Sequence, residues 1–164
     1  MTAEGTFLAE EAWYAQLPTL YAGAGALVTD PGGDVLLVKP NYRDRWSLPG
    51  GILEHGEPPH LGCAREVAEE LGTELTPGDL LVVDWSPPEG PRPRAFVYFV
   101  FDCGVLADTR DIRLQAAELD AFRLTRRGEL PRFLPPFLTA RVAAALRARA
   151  TGTPVYLPTA PEAV

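Results

Sequence analysis

The chain has 164 residues, 46% of them hydrophobic and 23% charged, with 22 acidic against 15 basic side chains and a formal net charge of −7. That length and balance suit one folded domain and argue against a protein that grips nucleic-acid backbone, which needs a basic footprint. A small phosphorylated ligand stays open, because a bound divalent cation reverses the local field. Two cysteines, Cys63 and Cys103, with no CxxC pair argue against a disulfide framework or a thiolate zinc site and point to a reducing compartment. The first residues carry acids and no basic stretch, so no secretory signal is expected. The longest apolar run, Ala95 to Phe101, falls far short of the ~20 residues a membrane helix needs. The expectation is a soluble cytoplasmic protein with no nucleic-acid and no membrane partner.

Along the chain, the spacing of Leu8, Ala12 and Ala15 predicts a short helix within Glu4–Leu17, ended by Pro18. Leu20 to Thr29 reads as a strand. Asp30-Pro31-Gly32-Gly33 is a turn signal, and Val35 to Val38 returns as the second strand of a hairpin. A polar loop, Asn41 to Arg45, leads into Trp46-Ser47-Leu48-Pro49-Gly50-Gly51. Pro58 and Pro59 suit a helix's first turn, where an amide proton is not needed. That helix should run to Leu71 and stop on a left-handed Gly72. Leu80–Trp85 and Ala95–Phe101 read as strands around a proline-dense loop, Ser86–Pro93. Glu118–Leu124 alternates in part, a helical turn is expected near Arg126–Leu130, and Phe137–Ala150 reads as a helix. From Thr151 onward an extended tail is expected. Strands mixed with two or three helices imply an α/β or α+β sandwich.

Placed on a wheel at about 100° per residue, the helix Pro58–Leu71 gathers Leu61, Ala64, Val67, Ala68 and Leu71 on one side and Glu66, Glu69 and Glu70 on the other. Like charges at i,i+4 cost roughly 0.2–0.5 kcal/mol per pair, so three acids on one face are poor structural glue. They are good oxygen ligands for a hard divalent cation, and Mg²⁺ prefers one or two carboxylates plus water and substrate phosphate. Gly50-Gly51 lets the backbone approach a ligand and expose a carbonyl. Glu57 stands just before the helix, where it is expected to cap free amides. Arg65 can reach Glu57 and Glu69 and hold the acids in orientation.

Gly51, five residues, Glu57, seven residues, then Arg65-Glu66-Val67-Ala68-Glu69-Glu70-Leu71-Gly72 resembles the Nudix box, GX5EX7REUXEEXGU, where U is bulky and apolar. Only the last U departs, being Thr73. Resemblance to the Nudix hydrolases, of MutT and ADP-ribose pyrophosphatase type, implies an α/β/α sandwich with a central mixed β-sheet. It implies one such domain over residues 1–164, with a helical N-terminal extension over 1–18 and an extended tail over 151–164. It implies Mg²⁺-dependent hydrolysis of a nucleoside diphosphate linked to another group, with Mn²⁺ as the alternative cation. Carried over by position, Glu66 and Glu70 are the main metal ligands, Glu69 assists, and the Gly50 carbonyl adds an oxygen. Glu57 and Arg65 orient the box. Glu66, or the distal Glu118, activates water. The partner is a small nucleotide, and family members often form homodimers.

Other residues have plainer readings. Arg43 and Arg45 could contact phosphate but read first as solvated loop arginines; Trp46 reads as core rather than a base-stacking platform; Trp85 and Tyr98 could flank a nucleoside but read first as core; Cys63 reads as chemically inert. His55 and His60 are left out of the site. Pro88, 15 residues past Thr73, matches a marker of ADP-ribose-cleaving members, which favours ADP-ribose or a nucleotide sugar. A MutT-type nucleoside triphosphate pyrophosphohydrolase and a non-catalytic nucleotide sensor are the alternatives.

Overall fold

A computed structural model describes residues 9–158. Its elements run α1 (Glu10–Tyr14), β1 (Tyr21–Thr29), β2 (Val35–Pro40), β3 (Gly50–Ile52), α2 (Pro59–Leu71), β4 (Leu80–Ser86), β5 (Phe96–Val105), β6 (Leu119–Thr125), a 3₁₀ turn (Arg127–Arg132), α3 (Pro136–Thr151) and β7 (Val155–Pro158). The described strands form one seven-stranded sheet in the order β6-β2-β1-β5-β4-β7, with β3 added against β1. β1 with β5 and β4 with β7 run parallel, and the other pairs are antiparallel. The sheet is therefore mixed, as expected. Its central strands are buried on both faces, which is why β1 and β2 read as nearly continuous apolar runs.

Two cores lie on opposite sides of the sheet. Val28, Val38 and Phe101 pack with Cys63, Val67 and Leu71 of α2. Leu27, Leu37, Leu81 and Val82 pack with Leu138, Val142 and Ala145 of α3. Successive residues of β1 and β2 feed alternate layers, as the strand period requires. Each fully buried Val or Leu contributes roughly 1.5–3 kcal/mol.

The structure sharpens several of these expectations and corrects the reading of Leu61. The hairpin of β1 and β2 is paired at Thr29–Val35; nearer its start, β1 pairs with β3 through Gly23–Gly25. The three-residue β3 has little side-chain pattern to announce it. The tail is extended, as expected, over Val155–Pro158, which adds a parallel strand beside β4, while α3 runs on to Thr151. Leu61, expected on the buried face of α2, is 53% exposed, because that face centres on Cys63, Val67 and Leu71. The N-terminal helix covers Glu10–Tyr14; the expected portion from Glu4 to Leu8 and the tail beyond Pro158 lie outside the described residues.

Where β1 and β2 part, the segment before α2 fills the gap. Ser47 exchanges hydrogen bonds with Val38, and the Pro49 carbonyl accepts from the Ala26 amide at 2.9 Å. This insertion sets Gly50 and Gly51 inside the sheet, directly under α2.

Candidate functional site

Helix α2 starts at Pro59 and ends on Gly72, which adopts φ 63° and donates its amide to Ala68. Its acids separate by what each meets. Glu70 is only 5% exposed, and its Oε2 accepts the Gly50 amide at 2.8 Å. Glu66 lies against Gly51, where any added Cβ would sit 2.5 Å from its Oε2. Gly50 has φ 137°, and a Cβ there would collide with the Ala24 carbonyl. Only glycine fits at Gly50, and a side chain at Gly51 would push the Glu66 carboxyl away, so two carboxylates rest on a strand stripped of side chains.

Arg65 organises the outer side. It donates Nε to Glu57 Oε1 at 2.9 Å and Nη2 to Glu57 Oε2 at 2.9 Å. Nη1 reaches Glu66 at 2.9 Å and Glu69 at 3.1 Å, and Nη2 also reaches the Ile52 carbonyl at 3.1 Å. Glu57 does not cap α2, which has no side-chain cap; its Oε2 accepts the Glu54 amide at 2.9 Å instead. The Arg65 hydrogen bonds hold the Glu57 carboxyl down at about 2, and Glu57 in turn raises the proton affinity of Arg65. Glu69 is the most exposed of the three helix acids and is drawn toward Arg65 rather than toward Gly50.

Burial pushes Glu70 up to about 8, against the stabilising Gly50 amide, and the charges of Glu66, Glu118 and Glu69 add to the rise. Glu66 is raised too, first by burial, against the pull of Arg65. The distal Glu118 is exposed but adds to the rise on both acids. Its loop is tied to the end of α2, where the amides of Arg113 and Gln115 donate to the carbonyls of Leu71 and Glu70.

The structure thus brings Glu66 and Glu70 together on Gly50–Gly51, sets Glu118 within their field, and turns Glu69 outward. Among the described residues, no three His, Cys, Asp or Glu side chains form a ready-made cation cage. A hard cation that keeps several waters does not need one. Two adjacent acids, Glu70 buried and Glu66 half-buried, the former with its proton affinity raised to about 8, have the oxygen donors such a cation takes, and binding would displace the proton. The residues present therefore fit a divalent metal.

One side chain differs from its sequence reading, and two gain neighbours that the sequence did not show. Trp85 is 37% exposed rather than core. Cys63 is buried with its Sγ 3.9 Å from that of Cys103, both as free thiols. Tyr98 sits beside the acid site: a Cβ on Gly50 would lie 2.9 Å from its hydroxyl, and burial raises its phenol well above the ordinary range. Sequence reasoning passed over Arg141, whose guanidinium carbon lies 4.4 Å from the Tyr98 ring centroid. An arginine in an amphipathic helix carries no signal of its own.

A mixed sheet between helices, with a glycine strand feeding a glutamate-bearing helix, defines an α/β sandwich with a cluster of acids at a split in its sheet. The family model of the NUDIX domain matches residues 19–146, and the chain belongs to this family. It is 39% identical over 79 residues to human diphosphoinositol polyphosphate phosphohydrolase 3-alpha, a match spanning 48% of each chain. It is 42% identical over 72 residues to the ADP-ribose pyrophosphatase of Mycobacterium tuberculosis, spanning 40% of this chain and 35% of that one. The matches thus span half or less of these curated relatives. Among solved structures, a UDP-X diphosphatase superposes with TM-score 0.70 at 22% identity, covering 92% of this chain and 76% of that one. The MutT protein of Methanosarcina mazei Go1 gives 0.68 at 24% identity, covering 80% and 96%. These likenesses show the fold. Among the described residues no helix is long and apolar enough to cross a membrane.

Proposed function

We propose that this protein hydrolyses a phosphoric anhydride in a nucleoside diphosphate joined to another group, with Mg²⁺ held by Glu66 and Glu70. The observation that carries the reading is the pair of carboxylates, Glu70 buried and Glu66 half-buried, resting on Gly50–Gly51 at box spacing. Relatives named for ADP-ribose and UDP-X substrates favour a nucleotide sugar or ADP-ribose, with a nucleoside triphosphate as the second substrate class.

Bound metal would neutralise the anhydride oxygens and acidify a coordinated water. The protein's own part is placement. Gly50 and Gly51 keep the floor clear, so that a phosphate can approach the backbone. Arg65 fixes Glu57, Glu66 and Glu69 so that Glu66 keeps one orientation. Glu118, exposed and with a charge that acts on Glu66 and Glu70, would be the group that orients or deprotonates a water for attack at phosphorus. Glu69 assists through charge and through its bond to Arg65.

The test is to incubate the purified protein with Mg²⁺ and a panel of ADP-ribose, nucleotide sugars and nucleoside triphosphates, and to identify the products. Release of a nucleoside monophosphate, lost on chelation, is the expected result. Tight nucleotide binding without turnover on any compound would instead make the chain a nucleotide sensor.

A further inference from the structure

Beyond Tyr98 lies a charged feature that the acid site does not use. The chain is strongly acidic overall, yet arginines crowd this end of the sheet. The Arg141 guanidinium carbon lies 4.4 Å from the Tyr98 ring centroid and 5.9 Å from that of Phe137. The Arg45 guanidinium carbon lies 5.4 Å from the same Phe137 ring. Arg92 follows, 5.8 Å from Phe96, whose ring stacks on Tyr98 at 6.2 Å. One phenylalanine therefore carries two cations, separated by no more than the sum of their distances to it.

The bonding of these arginines is sparse. Arg141 donates Nε to Asp84 at 2.7 Å; the carboxylate is 1% exposed and the arginine side chain 14%. Its two terminal nitrogens make no hydrogen bond to another described residue. Arg45 makes neither hydrogen bond nor ion pair with a described residue. Its proton affinity is lowered, first by burial, then by Arg43 and Arg141, with Glu89 alone opposing. A fold gains little from holding like charges together in this way. Anion binding does gain, because a guanidinium fork matches two phosphate oxygens and sheds its hydration easily.

The position is equally specific. The Tyr98 hydroxyl abuts Gly25 and Gly50, and Gly50 donates to Glu70. The phenol ring is thus the wall shared by the acid site and the arginine pair. Resting on the hydrolase reading above, we propose that Arg45 and Arg141 form a second phosphate subsite, which takes a phosphate group of the substrate lying outside the cleaved diphosphate. The substrate class is then a nucleotide with at least three phosphates, whether the third extends the chain, as in the nucleoside triphosphates named above as the second class, or sits on a sugar; this reverses the order that the relatives' names suggest and ranks plain ADP-ribose and nucleotide sugars below. Arg141, locked by Asp84 and two rings, is the fixed half. Arg45, on the exposed loop before β3, is the half that closes onto the ligand.

The test compares ADP-ribose, with two phosphates, against ATP and ADP-ribose 2′-phosphate, with three, in Mg²⁺ for the wild-type protein and Arg45→Gln. The wild type should favour at least one three-phosphate compound over ADP-ribose by tenfold or more in kcat/KM. Which one it favours tells whether the third phosphate is in the chain or on the sugar. Arg45→Gln should lose at least tenfold more on that compound than on ADP-ribose, with the loss in KM. A wild type that prefers ADP-ribose, or a variant that loses equally on all three, overturns the subsite and leaves the hydrolase reading intact. If nothing turns over, calorimetric titration with inorganic tripolyphosphate in EDTA decides instead. Binding weakened tenfold or more by Arg45→Gln upholds the subsite while the hydrolase reading falls; unchanged or absent binding overturns it. Unchanged thermal melting shows that Arg45→Gln remains folded.

Discussion

Arg65 and Arg141 are both largely covered guanidiniums beside carboxylates, yet one is saturated and the other is not. Arg65 makes five hydrogen bonds, to Glu57, Glu66, Glu69 and Ile52, which uses the full donor set of an arginine. Among the described residues Arg141 makes one, to Asp84. A saturated guanidinium has nothing left for a ligand, so its work is construction. One with spare donors and a rigid seat is prepared to receive something. Arg149 belongs with Arg65: it bonds Asp102 at two oxygens, Thr29 Oγ1 and the Leu27 carbonyl, stapling α3 to the sheet.

The contrast can be pressed by substitution. The largest effect is expected from Glu70→Gln, which should lower kcat at least ~100-fold, about 2.7 kcal/mol of barrier; turnover measured in excess Mg²⁺ checks it. Next, Arg65→Ala should destabilise the fold by about 2–3 kcal/mol. Removing a partner from a buried ion pair costs ~3–5 kcal/mol, reduced here because the site is partly open to water. Denaturant melts read that loss directly, and a wild-type midpoint would place Arg65 outside the construction class.

A third effect concerns pH. Glu70 has a folded-state value of about 8, above its ordinary 4.5. Its contribution to stability is complete below about 4.5 and is lost as pH rises through about 8. Metal-free protein should therefore melt at lower temperature at pH 8.5 than at pH 5.5. Glu70→Gln should flatten that slope, and added Mg²⁺ at pH 8.5 should recover stability. Arg149→Ala is expected to cost about 1–2 kcal/mol through lost hydrogen bonds while leaving kcat unchanged. The smallest change should come from Leu61→Ala, within about 0.5 kcal/mol for an exposed site, which a comparison of melts with Leu71→Ala would show.

What the sequence made legible is local. The helix Pro59–Leu71, its Gly72 stop and the clustering of Glu66 and Glu70 follow from spacings of three and four residues. The strands β1, β2, β4 and β5 follow from apolar runs. Long-range relations are harder to read. β3 has three residues, two of them glycine, and it forms because a gap between β1 and β2 accepts it. β7 lies in a stretch rich in glycine and proline and is a strand only because β4 offers it an edge. The face of α2 that turns inward was misjudged at Leu61 because a wheel shows which residues share a side, not how much of that side the sheet covers. Arg141 finds Asp84 across 57 positions, a pairing that no local pattern encodes.

The plug formed by residues 47–51 has one further consequence. Its peptide groups complete ladders on both flanking strands, at Val38 and at Ala26, so the floor beneath Glu66 and Glu70 is stitched into the same fabric as the core. Loosening it means unpicking the sheet. The pocket's chemistry should then persist up to the melting temperature and vanish with it, with no cooler interval in which a folded but slack enzyme survives.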